Sequence, residues 1–355
     1  MKQVAILGCG PTGMAVAAQL TIDGAQVSLC DTQDFSQRME EIRSAGGITL
    51  EDDRGQVRTA MPQVLTNDFA QALQGAEQVV ICVPAHRQEE MGEALLPHLR
   101  RGMAVLLSPG NLGSILLRRQ WNRANAGEGV LLGELASNLW TCRADGPAKV
   151  KVVGGLGSPK RVCALPASET PQLQRAFEGL FSLTEATNLL EGVLNSPNVV
   201  LHLAGTLLNT ARVEQRGAAF ALFREGLSPA VLRCGQQVQE EREAVLQTLG
   251  LQIYGSTMDH IRKVYCYDQY PELETFRGLS GPDSLTHRYI REDASCGVAL
   301  LVSLGKAYGV PVPMSETLLR LAGLLNGVDY LTEGRTLENL GLAGLTVEQL
   351  REKLA

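Results

Sequence analysis

A short apolar run, Gln3 to Leu7, leads straight into Gly8-Cys9-Gly10-Pro11-Thr12-Gly13, and from Pro11 to Leu20 the chain turns helical on Met14, Val16, Ala17 and Leu20. Strand, glycine turn and helix in immediate succession leave few folds open. In that setting Gly8 permits the tight turn, Gly10 lets the backbone approach a pyrophosphate, and Gly13 allows close packing of helix on strand. The helix N-terminus, opened by Pro11 and Thr12, offers amides and the positive end of a dipole to phosphates.

The strand-helix alternation continues. Gln26–Cys30 reads as a second strand. Gln78–Pro84 and Met103–Ser108 read as fully buried ones, separated by a helical stretch over 87–99. Gly129–Leu135 adds a further strand, and 148–153 with 162–165 add edge strands. Ile48–Glu51 and Gln56–Ala60, divided by Asp-Asp-Arg-Gly, suggest a hairpin added to the same sheet. Past Pro171 helical periodicity takes over, at 171–180, 198–214, 228–249, 257–265, 295–308 and 315–325. The expectation is an α/β chain: an N-terminal doubly wound (Rossmann) parallel sheet over residues 1–180 and a C-terminal all-helical domain over 181–355.

Asp31 ends the second strand, about 20 residues on from the glycines, where a carboxylate can accept bonds from adenosine ribose hydroxyls and repel a 2′-phosphate. This favours NAD, with NADP kept open because Thr32, Gln33 and Arg38 can build a mixed site. Val83 and Pro84, and Ser108-Pro109-Gly110-Asn111, end later strands and are expected to face the cofactor.

Composition narrows the partners. A net charge of −6 with 5% aromatics gives neither a basic footprint nor a stacking platform for nucleic acid. No run of apolar residues is long enough for a membrane span. The first residues start a strand at once, without a secretory segment, so a cytoplasmic protein is expected. Eight cysteines (Cys9, Cys30, Cys82, Cys142, Cys163, Cys234, Cys266, Cys296) lack any C-x-x-C pair, and the five histidines are dispersed, so no metal is expected.

In the helical half, Asn198, His202, Thr206 and Asn209 fall on one polar stripe of a helix that starts near Pro197. Val199, Val200, Leu203, Leu207 and Leu208 would bury the other face. A second charged cluster, His287-Arg288-Tyr289-Ile290-Arg291-Glu292-Asp293, follows. Taken singly, each segment has a bland reading. His202 can be a core residue, Asn198 and Asn209 can bond neighbouring backbone, Glu292 or Asp293 can cap a helix near Ser295, and Arg288 can be a surface charge.

The combination resembles the opine dehydrogenase family along nearly the whole chain. The likeness rests on the glycine loop; Ser137 to Arg143; Asn198 to His202 with Thr206 to Asn209; Arg277 to Pro282; Arg288 to Asp293; and Gly334 to Leu342. The resemblance implies an NAD(P)H-dependent reductive condensation of an α-keto acid such as pyruvate with the amine of an amino acid. It implies His202 as acid/base, Asp293 as its partner carboxylate and Arg288 on a substrate carboxylate, with Asn198 and Thr141 as further substrate-binding candidates. Leu203 stands where the family usually has proline, which affects the pocket rather than the proton chemistry. Trp140, Thr141 and Arg143 can line an interdomain cleft, although Trp140 is as easily core; Tyr289 and Arg291 read as packing and solvent residues.

An imine needs a proton on nitrogen and loss of water before hydride addition, and an imidazole titrating near neutrality suits both transfers. Two rivals remain: a ketopantoate-reductase-like carbonyl reductase, and a non-catalytic dinucleotide-binding regulator. The first usually employs lysine as proton donor, and the helical half holds only Lys263, Lys306 and Lys353, none near either cluster. The apolar helices are also expected to bury a homodimer surface.

Overall fold

The computed structural model describes residues 2–265, 269–270 and 274–354; Cys266 lies outside them. Two compact units divide the chain, one running to Gly192 and the other from Val193 to Lys353. The break falls later than residue 180 because residues 183–185 form a strand that pairs with Lys160–Ala164 and so belongs to the first unit.

Among its described residues the first unit contains twelve strands: β1 Gln3–Leu7, β2 Gln26–Cys30, β3 Ile48–Glu51, β4 Val57–Ala60, β5 Val64–Thr66, β6 Gln78–Ile81, β7 Ala104–Leu107, β8 Leu131–Leu135, β9 Thr141–Ala144, β10 Lys149–Gly154, β11 Lys160–Ala164 and β12 Leu183–Glu185. Eight form one sheet in the order β12-β11-β8-β7-β6-β1-β2-β5. Every pair is parallel except β11 with β8, so the expected parallel sheet carries one antiparallel crossing. The apolar strands are buried on both faces, with Ile6, Leu29, Val80 and Leu106 packing one way and Leu7, Ile81, Leu107 and Trp121 the other.

The hairpin β3-β4 is real, but it does not extend this sheet. It joins β10 and β9 in a separate four-stranded sheet, order β4-β3-β10-β9. The helix Pro11–Ile22 packs between the two sheets, which explains why Gly13 to Leu20 are all buried and the helix has no polar face. Of the two expected edge strands, β10 went to the small sheet and β11 to an interior place in the large one.

Among its described residues the second unit is helical, apart from one isolated bridge between Ala221 and Gly281. The predicted 198–214 helix is two helices, Pro197–Leu207 and Thr210–Arg216. Asn209 sits at the break and donates to the carbonyls of Gly205 (2.8 Å) and Gly226 (2.7 Å), so it takes the backbone-bonding reading. Leu208, expected in the core, is 46% exposed. Thr346 with Gln349 three residues on spells a capping box in the sequence, and the C-terminal helix Val347–Leu354 begins there. The Gln349 amide donates to Thr346 Oγ1 at 3.3 Å and the Thr346 amide to Gln349 Oε1 at 2.9 Å.

A buried carboxylate anchors this unit. Glu241, on the helix Pro229–Thr248, accepts from the amides of Met314 (2.7 Å) and Ser315 (2.8 Å) and from Ser315 Oγ (2.7 Å) at the start of the helix Pro313–Asn326. Removing it leaves two amides without acceptors. Glu241→Ala is expected to lower unfolding stability by about 3 kcal/mol, read from urea denaturation, whereas Glu240→Ala on the exposed face is expected to change little.

Burial also governs the thiols. It pushes Cys30, Cys142 and Cys163 up to about 12, and Cys9, Cys82 and Cys296 upward as well. These groups stay protonated at pH 8 and are shielded, while Cys234 is only partly buried. Among the seven described cysteines, iodoacetamide at pH 8 followed by mass mapping is expected to find Cys234 alone quickly alkylated.

Candidate active site

The glycine loop closes on itself through backbone contacts. Gly8 has φ +109°, and a Cβ there would sit 2.6 Å from the Cys82 carbonyl oxygen; one on Gly13 would sit 1.8 Å from the Gly8 carbonyl oxygen. Neither position can carry a side chain. Gly10 differs, because a Cβ there would meet nothing within 4 Å. The loop therefore leaves open space at the one glycine whose bareness admits a pyrophosphate, with Pro11 and half-buried Thr12 starting the helix beside it. These residues fit a dinucleotide.

Val83 is 2% exposed and packs under Gly8, so it shapes the loop from beneath and does not face outward; Pro84 is exposed. The apolar environment of the sheet end holds Val83 inside. Asp31, at the end of β2, is 1% exposed and richly bonded: Oδ2 accepts from the Cys9 amide at 2.8 Å, and Oδ1 accepts from the Thr32 amide at 2.8 Å and from Arg87 Nη2 at 2.9 Å. Arg87 was not expected here. It follows the Val83-Pro84-Ala85 turn at the same end of the sheet, and that position was the available signal. Arg38, the cation expected near Asp31, donates instead to the Pro147 carbonyl at 2.7 Å and pairs with Glu41.

In the second unit, His202 lies on the helix Pro197–Leu207, where every residue from Val199 to Leu207 is buried. Its Nδ1 is 2.7 Å from Asp293 Oδ2. Asp293 begins a π-helical turn, Asp293–Val298, that follows the short helix Arg288–Glu292. The carboxylate thus points at the histidine and does not cap a helix near Ser295. Opposite an acceptor-only carboxylate, Nδ1 carries the hydrogen and donates, which makes Nε2 the nitrogen suited to proton exchange.

The imidazole plane is fixed by aromatic rings. Tyr289 stacks on it with centroids 3.7 Å apart and planes 15° apart, and Phe223 meets it edge-on at 6.2 Å. Tyr289 is held in turn by His287, whose ring meets it edge-on at 4.6 Å and whose Nδ1 accepts from the Tyr289 amide at 3.2 Å. The packing role expected for Tyr289 is therefore packing against His202 itself. The half-buried Arg288 guanidinium lies 5.0 Å from the Tyr289 ring centroid. Asn198 is half-buried one turn before His202 on the same helix.

Glycines bring these pieces close. A Cβ on Gly297, in the π-turn, would lie 2.7 Å from Val199 Cγ2, and one on Gly334 would lie 2.7 Å from the Ser295 carbonyl oxygen. The Arg335 amide also donates to Ser295 O at 2.6 Å, so the Gly334 to Leu342 segment braces the turn that carries Asp293.

The remaining candidates belong to the first unit. Thr141 opens β9 of the small sheet and is half-buried, while Trp140 belongs to the core of the first unit. Among the described residues no group of three His, Cys, Asp or Glu side chains is placed to hold a metal, and no helix is long and apolar enough to cross a membrane.

Comparison with known proteins bears on the chemistry. Residues 185–326 match the family model of the NAD/NADP octopine/nopaline dehydrogenase α-helical domain, and residues 4–115 match that of ketopantoate reductase PanE/ApbA. The chain is 34% identical to an opine dehydrogenase of Arthrobacter sp. (strain 1C) over 99% of its own length and 98% of the relative's. It is 24% identical to a vitopine synthase of Allorhizobium ampelinum (strain ATCC BAA-846 / DSM 112012 / S4), covering 97% of this chain and 96% of that one. In fold it is similar to an octopine dehydrogenase solved with NADH and L-arginine, with TM-score 0.72 and 19% identity over 98% of this chain and 97% of that one. With a relative at that identity along its full length, the chain belongs to the opine dehydrogenase family, NAD(P)-dependent dehydrogenases that act on the CH–NH bond and join an α-keto acid to an amino acid by reductive condensation.

Proposed function

We propose that His202 is the acid/base of that condensation, that Asp293 positions and charges it, and that Arg288 binds a substrate carboxylate. The observation that carries this reading is the buried His202 Nδ1 to Asp293 Oδ2 contact of 2.7 Å. The amine nitrogen attacks the keto carbon, water leaves and C=N forms; hydride then adds at carbon while nitrogen keeps a proton. Bound at the glycine loop, the dinucleotide supplies the hydride. His202 Nε2 takes a proton from the incoming ammonium and gives one to the departing hydroxyl, so the protonation state of the ring is restored. Arg288 offers a planar fork that suits a carboxylate better than an ammonium would. Asn198 and Thr141 complete the proposed substrate contacts, and Gly8, Gly10, Pro11, Thr12, Gly13 and Asp31 the cofactor contacts, with Val83 and Pro84 shaping the turn.

The proposed substrates are an α-keto acid such as pyruvate and the amine of an amino acid. The test follows NADH and NADPH oxidation with pyruvate alone, and with pyruvate plus norvaline, alanine, arginine or taurine. Amine-dependent oxidation is expected; oxidation by pyruvate alone at the same rate overturns the reading and favours a carbonyl reductase. The ketopantoate reductase family model matches residues 4–115 and does not reach His202, Arg288 or Asp293. The proposal extends to a homodimer, for which Leu324 (80% exposed) and Leu325 (38%) offer apolar surface; sedimentation gives the mass.

A further inference from the structure

Asp31 is the residue expected to refuse a 2′-phosphate, but it does not stand as a bare charge. Arg87 Nη2 donates to its Oδ1 at 2.9 Å and to Thr32 Oγ1 at 3.0 Å, while Arg87 Nε donates to Glu90 Oε2 at 2.9 Å. The guanidinium is further fixed by lying 4.6 Å from the Phe35 ring centroid. Its Nη1 makes no bond among the described residues and the side chain is 15% exposed, so a group already locked in place keeps two N–H donors unused.

We propose that Arg87 sets the nucleotide preference of this protein, neutralising Asp31 and presenting Nη1 to a 2′-phosphate so that NADPH is accepted alongside NADH. This rests on the reading of the glycine loop as the dinucleotide site. Two features of the arrangement bear on the sign. An unpaired Asp31 would meet a dianionic phosphate with like charge at close range, whereas a paired one presents little net field. Arg87 and the Thr32 amide both bond Asp31 at Oδ1, which leaves Oδ2 outside the ion pair, so NADH recognition is expected to survive the pairing. Glu90 shares the guanidinium but is 45% exposed and therefore well screened by solvent.

The experiment measures NADH and NADPH dissociation constants by nicotinamide fluorescence without substrates, so its outcome is independent of whether the condensation chemistry is correctly assigned. Wild-type protein is expected to bind the two cofactors within about tenfold of each other. Arg87→Met, which keeps an apolar stem over Phe35, is expected to weaken NADPH by at least ~30-fold and NADH by no more than ~3-fold, with Arg87→Lys in between. An unchanged NADPH-to-NADH ratio in Arg87→Met, including equal loss of both cofactors, overturns the proposal. A second measurement needs no variant. In wild-type protein NADPH affinity is expected to fall more steeply than NADH affinity as salt is raised, and parallel slopes overturn the proposal as well.

Discussion

His202→Asn is expected to lower turnover by at least ~10²-fold while leaving NADH affinity within a few-fold of wild type. The asparagine amide can bond Asp293 from nearly the place Nδ1 occupies, so the buried carboxylate keeps a donor and the helix Pro197–Leu207 keeps its packing. What is lost is a group that both accepts and returns a proton near neutral pH. Because the glycine loop belongs to the other compact unit, cofactor binding is a built-in control. Turnover unchanged by the substitution would remove His202 from the chemistry.

The parts of this fold that sequence alone disclosed are those fixed by short-range physics. The glycine loop is one: a turn, a missing Cβ and a helix start all lie within a few residues, and Gly8, Gly10 and Gly13 divide their duties as their spacing implies. The Thr346 capping box is another. The destination of the β3-β4 hairpin was not legible, because alternation shows that a strand has an apolar face without saying which sheet will cover it. Nor was the antiparallel seat of β11, which depends on how the chain returns after β10.

The candidate site divides in the same way. His202 and Asp293 are 91 positions apart, and no periodicity links them; the family resemblance paired them. Tyr289 reads in the sequence only as packing because its partner, the imidazole, comes from a distant helix. Arg38 is nearer to Asp31 in sequence than Arg87 but is used by Pro147 and Glu41, and Arg87 takes the place beside the carboxylate. Proximity along the chain misled there, whereas position at the end of β6, next to β1 in the sheet, would have pointed to Arg87.

Asp293→Asn is the second substitution expected to have a large effect, a fall in turnover of ~10²-fold or more with a small change in cofactor affinity. An amide in place of the carboxylate can donate to Nδ1, which moves the ring hydrogen to Nε2 and removes the base that faces outward from the pair. The pH profile separates this from simple unfolding. A carboxylate beside an imidazole favours the imidazolium, so its removal lowers the pH at which the ring loses its proton. The acid-side fall of the condensation rate, where protonation takes the ring out of its basic form, is expected to move to lower pH. A profile of unchanged shape with uniformly lower rate would mean that Asp293 only holds structure. The contact also depends on the approach of two elements, so Gly297→Ala, which sets a methyl 2.7 Å from Val199 Cγ2, is expected to reproduce part of the same shift without touching either charged group.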